Sequence, residues 1–123
     1  MGPGGSQEAS FDLRASVHAG NYHVICDAVI IGSVDVTFTL IWRRGPIDTN
    51  LAQWVQHWEP LPSGAYEAQP YEVDMAAPAI DWQAGDQLVF RYAAMNTTTP
   101  EAFIPNGDGP FSHGRIPSIA LPP

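Results

Sequence analysis

The chain has 123 residues, with 13 carboxylates against five arginines, no lysine and a net charge of -8. That length suits one domain able to bury a core without disulfide or metal staples. The charge excludes a nucleic-acid binder, which needs a basic footprint, and argues against an anionic membrane surface. Arg14, Arg43, Arg44, Arg91 and Arg115 are few and scattered.

Hydrophobic residues make up 45% of the chain, too many for a disordered segment. Apolar runs such as residues 28–31 fall far short of the roughly 20 residues a spanning helix needs, so no membrane insertion is expected. Cys26 is the sole cysteine, which rules out an internal disulfide. Its apolar surroundings predict a buried, inert thiol. The 11 glycines and 12 prolines punctuate the chain at short intervals, as an all-β fold with many turns requires.

Residues 1–8 read as a flexible leader, and residues 9–123 as one domain. Met1 to Ser6 lacks the charged and apolar regions of a signal peptide. From residue 11 to 18, Phe11, Leu13, Ala15 and Val17 alternate with polar residues, the pattern of a half-buried strand. Residues 22–31 are rich in Val and Ile and read as a central strand. Gly32-Ser33 is the Gly-X pair of a type II′ hairpin. The hairpin's second strand is residues 34–43, with Val34, Val36, Phe38, Leu40 and Trp42 pointing inward.

Residues 43–46 end that strand, and residues 47–50 read as a connection. Residues 51–58 fit two templates. Leu51, Trp54, Val55 and Trp58 match a helical face; Ala52, Trp54, Gln56 and Trp58 match one face of a strand. The β surroundings favour strand. Residues 65–75 alternate again, and Pro70 marks an edge strand or a bulge. A loop carrying Trp82 leads to a strong strand over residues 86–94. Residues 96–113 form a long polar loop pinned near Phe103 and Ile104, of a length that is commonly functional or disordered. Ile116, Ile119 and Leu121 mark a last short strand. About seven strands and no long helix predict an all-β antiparallel two-sheet sandwich, jelly-roll or Ig-like.

The stretch Ala84-Gly85-Asp86-Gln87-Leu88-Val89-Phe90-Arg91-Tyr92, with Ile104-Pro105-Asn106-Gly107-Asp108-Gly109 and Gly114-Arg115-Ile116-Pro117, resembles small bacterial extracellular or lipoprotein-type β-sandwich domains. The resemblance implies an extracellular or cell-envelope location and a binding role. It implies no catalytic residue.

Three constellations bear on chemistry. Asn106 and Asp108 in the Asn-Gly-Asp-Gly turn are candidate calcium ligands, because side-chain oxygens at alternate positions of a Gly-rich turn can converge on one ion. An ordinary tight turn uses the same residues. His18 and His23 flank a short turn, but zinc needs three or four converging ligands, and a third would have to come from His57 or His113. Trp54 and Trp58 share a side in either reading of residues 51–58. They are candidate sugar platforms or core residues. No nucleophile elbow, metal-binding helix, phosphate loop or dinucleotide fingerprint is present. Carboxylates such as Glu59, Asp81 and Glu101 have no spacing that pairs them. The expected function is a non-enzymatic binding or adhesion module for a glycan or a protein surface, through Trp54, Trp58, Asn106 and Asp108. The alternative is a self-assembling subunit, a homo-oligomer using its sheet edges and the 96–113 loop. An enzyme ranks third.

Overall fold

Period-two alternation sends Val34, Val36, Phe38 and Leu40 to one side of their strand and Leu88, Phe90 and Tyr92 to one side of another, and all seven are buried. A computed structural model describes residues 6–30, 32–59, 68–95, 102–103 and 118–123, all of it strand and irregular chain. The strands are β1 (Ser6–Asp12), β2 (Gly20–Ile30), β3 (Val34–Arg44), β4 (Ile47–Trp58), β5 (Ala68–Ala77), β6 (Gln87–Met95), β7 (Ala102–Phe103) and β8 (Ser118–Ala120). They form two antiparallel sheets. The first has the order β1-β6-β3-β4; in the second, β2 pairs with β5 on one side and with β7 and β8 on the other. Tyr22, Val24, Cys26, Ala28 and Ile30 of β2 face the apolar side of the first sheet and share one core with it. Phe38 lies at its centre, with ring centroids 5.3 Å from Phe90, 5.4 Å from Tyr71 and 5.6 Å from Trp54. The all-β two-sheet expectation holds.

Several local expectations need correction. The Gly32-Ser33 hairpin does not form: β2 and β3 belong to different sheets, and the chain arches between them. A hairpin would put the inward residues of both strands on one face, still needing cover. The arch sets them against each other. A genuine hairpin follows at Gly45-Pro46, where Gly45 has φ 55° and Arg44 pairs with Ile47. Residues 47–50 are therefore strand rather than connection. A bulge between Leu40 and Ile41 leaves Leu51 without a partner residue, because Leu40 pairs with Ala52 and Ile41 with Asn50. The bulge shifts the alternation by one residue, so the two halves of β4 look unrelated in a strict period-two reading. Residues 51–58 are strand, as favoured.

At the N-terminal end, residues 6–8 are not leader. They pair with residues 91–93 of β6, and Glu8 receives hydrogen bonds from Arg43 and Arg91. Residues 13–18 leave the ladder, although Leu13 and Val17 stay buried and Val17 exchanges two backbone bonds with Ile80. Among the described residues Pro70 lies on an edge strand, and Phe103 pairs with Val29 of β2, while Ile104 and the rest of the 96–113 segment apart from residues 102–103 lie outside the described residues.

The outer face of the first sheet carries a closed ionic ring. Arg43 bonds Glu8 and Asp48 at 2.8–3.1 Å, and Arg91 bonds Glu8 at 2.7 Å and lies 3.5 Å from Asp48. The two arginines, Arg43 foremost, hold the Glu8 carboxyl below its usual range. The register puts the fully buried pair Ile41 and Val89 between these four residues, so the arginine stems close over it.

Asp86 ties one end of the sandwich together. Its side chain has no exposed surface. It accepts from Trp42 Nε1 at 3.0 Å, Arg44 Nε at 3.0 Å, Arg44 Nη2 at 2.9 Å and the Gln83 amide at 2.9 Å. Its carbonyl accepts the Leu13 amide at 3.0 Å. The Arg44 guanidinium, followed by the Gln83 amide, pulls its carboxyl far below the usual carboxylate range.

Two expected outcomes test this architecture. Phe38→Ala removes the central ring and should destabilise the domain by about 3–5 kcal/mol in urea unfolding. Asp86→Asn should lower the melting temperature at neutral pH. Because the folded-state value is depressed, the stabilisation is present above the unfolded value of about 3.9 and is lost as pH falls through the folded one. Wild type and variant should therefore converge in melting scans as the pH is lowered through that range.

Candidate functional site

The expected sugar platform does not exist at Trp54 and Trp58. Trp58 is buried, packed edge-on to Tyr71 at 5.2 Å. Trp54 is half-buried between Phe38 and Phe90, and its Nε1 donates to Tyr71 Oη at 2.9 Å. Both lie on the inner face of β4, where they help to close the gap between the sheets. The calcium candidates Asn106 and Asp108 lie outside the described residues, as do Glu101 and His113.

His18 and His23 do not face each other. His18 Nδ1 lies 3.1 Å from the Pro123 carbonyl, and His23 Nδ1 lies 2.6 Å from Asp74 on the neighbouring strand. Among the described residues, no three His, Cys, Asp or Glu side chains are placed to hold a metal. Cys26 is buried in the core.

The structure draws attention instead to β4. Among the described residues its one ladder partner is β3, so its other side is an open sheet edge. Gln53, Val55 and His57 are exposed on the outer face, with Val55 57% exposed. From Thr49 to Trp58 the strand carries no charged side chain except His57 when protonated. The other long edges differ: β1 bears Glu8 and Asp12, and β5 bears Glu72 and Asp74.

At the far end of β4, His57 stands opposite Asp35 in the register. Its Nδ1 lies 2.7 Å from Asp35 Oδ1 and its Nε2 lies 2.6 Å from Glu59 Oε1. Ser33 donates to the other oxygen of Glu59, and Gln69 Nε2 donates to the Glu59 carbonyl at 3.1 Å. The cluster thus links the β2–β3 arch, β3, β4 and β5. It is not a nucleophile–base pair. The Ser33 hydroxyl bonds a carboxylate rather than the imidazole, and both ring nitrogens are occupied. Glu59 first, then Asp35, raise the His57 pKa above its ordinary value.

In the sequence His57 stands out only as a possible third zinc ligand and Glu59 only as a carboxylate that no spacing pairs. Their opposition to Asp35 and Ser33 follows from a strand register and from an arch that the sequence presents as a hairpin. Val55 was visible only as a member of a possible helical face.

No family model, curated protein or solved structure matches this chain.

The His57 cluster makes a measurable statement. In an NMR titration its imidazole should titrate above the ordinary value of about 6.5, and both Glu59→Gln and Asp35→Asn should bring it down. The raised value means that the cluster's contribution to stability is present below the unfolded pKa and is lost as pH rises through the folded one.

Proposed function

We propose that the chain is a non-enzymatic binding and assembly module that engages protein by strand addition along β4. A fold of this kind hosts many activities, so function is carried by the site rather than by the architecture. Strand addition draws its affinity from main-chain hydrogen bonds and its selectivity from alternate side chains. The observation that carries the reading is the open edge of β4 with exposed Val55 on it. Sheet edges are commonly protected by lysine, proline or inward-pointing charge. Residues 49–58 have none of these, and the one protective irregularity is the bulge at Leu51. A sugar-binding reading needs exposed flat aromatics, and its two tryptophans are turned inward.

The test is selection of random peptides on the immobilised domain, alongside a glycan array run with and without calcium. Extended, β-branched peptides should be enriched on the wild type. Val55→Lys should weaken them roughly tenfold, equivalent to about 1.4 kcal/mol. At an exposed position this substitution should move the unfolding free energy by no more than about 0.5 kcal/mol. Peptide capture indifferent to Val55→Lys, or dose-dependent glycan capture, would count against the reading.

A further inference from the structure

Given that β4 is the binding edge, we infer that the partner it fits is a second copy of this chain, paired antiparallel about a twofold axis at Val55. The inference rests on the strand-addition reading and adds to it the partner and the register.

The bulge at Leu51 interrupts the regular ladder, and β4 ends at Trp58. The uninterrupted stretch is therefore residues 52–58, whose midpoint is Val55. An antiparallel pair of identical strands is isologous, so each residue meets its mirror position about the centre. Centred on Val55, the full regular stretch of each copy pairs with the full regular stretch of the other. Val55 then meets Val55 of the second copy, and Gln53 meets His57. Centring one residue earlier puts Val55 opposite Gln53; centring one later puts it opposite His57. On the exposed outer face, only the midpoint register matches an apolar side chain with an apolar one.

A chain with net charge -8 repels its own copies, and like charges directly opposite each other on neighbouring strands add to that cost. Self-pairing of β1 or β5 would bring carboxylates together. Residues 52–58 hold none; the nearest carboxylates, Asp35 and Glu59, are bonded to His57, which faces Gln53 of the second copy in this register, and Asp48 is bound by Arg43. The edge left uncharged is thus the edge at which two acidic copies can meet. The pair is also closed. Among the described residues each copy has one uncharged long edge, which lies at the axis, and the other long edges, β1 and β5, are acidic. A dimer is expected rather than a fibre.

Cysteine cross-linking with sedimentation tests this. Native Cys26 is fully buried, so an introduced cysteine is the accessible thiol. Val55→Cys should form a disulfide-linked dimer under mild oxidation, because facing Cβ atoms across a ladder lie about 4.5–5.5 Å apart. Ile47→Cys is the control. Ile47 is 64% exposed, more than Val55, but lies far from the axis, so it should cross-link slowly. In sedimentation velocity the wild type should show a monomer–dimer equilibrium, and Val55→Lys should weaken it at least about tenfold. Equal cross-linking at both positions, or a wild type monomeric at every concentration, overturns the second copy as partner. A monomer that still selects peptides through Val55 overturns the partner and leaves strand addition standing. A monomer that selects none overturns both.

Discussion

The sandwich depends on one buried carboxylate being fully satisfied. Asp86 sits where β6 begins, and its donors come from the end of β3 and from the loop before β6, while its carbonyl holds the chain leaving β1. An ionised carboxylate out of contact with water is tolerated only when donors replace its hydration. Here that requirement dictates the local path of three strands. Arg44 must turn back over Trp42, with its guanidinium 4.9 Å from the ring centroid, and its Nη2 also reaches the Asp81 carbonyl. Trp82 can then donate to the Leu13 carbonyl at 2.8 Å, closing the sandwich on that side. The opposite end is held by a different kind of node. His57, Asp35 and Glu59 are exposed, so the charges there are screened and the node responds to pH, whereas Asp86 keeps its charge across the neutral range.

The distribution of arginine follows from the same demand. Three of the five, Arg43, Arg44 and Arg91, lie in the first sheet, each committed to carboxylates. The ring they form with Glu8 and Asp48 does more than balance charge. It lets a two-layer protein bury Ile41 and Val89 on the face turned away from the core, giving β3 and β6 apolar contacts on both sides.

The layers were legible in the sequence because alternation reports directly on burial. Val34 to Leu40 and Leu88 to Tyr92 could hardly be placed otherwise. What alternation does not report is which strand lies beside which. Gly32-Ser33 has the residues of a hairpin, and those residues serve an arch equally well. The choice is made by residues 24–30 and 34–40, whose apolar faces need each other across the gap. The bulge at Leu51 hid the start of β4 for a related reason, since one extra residue inverts the pattern on either side of it. Trp54 and Trp58 show the limit of composition at a candidate site. An edge strand facing a partner sheet has a half-covered inner side, and large aromatics there fill the gap left by missing neighbours. The residues that do stand out, Val55 and the His57 cluster, are ordinary in sequence and acquire meaning only through register and exposure.

An open, uncharged edge is a hazard, which raises the question of how this chain could carry one. Two restraints act together. The bulge breaks the regular ladder at Leu51 and confines the flat stretch to residues 52–58. The net charge of -8 imposes a repulsion on every encounter, which only a well-matched contact overcomes. On the strand-addition proposal, such a surface would reject loose association and accept a partner whose strand fits that stretch without bringing further carboxylates near. The acidic background and the neutral edge would then act as one device: the charge would suppress wrong encounters, and the edge would be the place where the suppression is lifted.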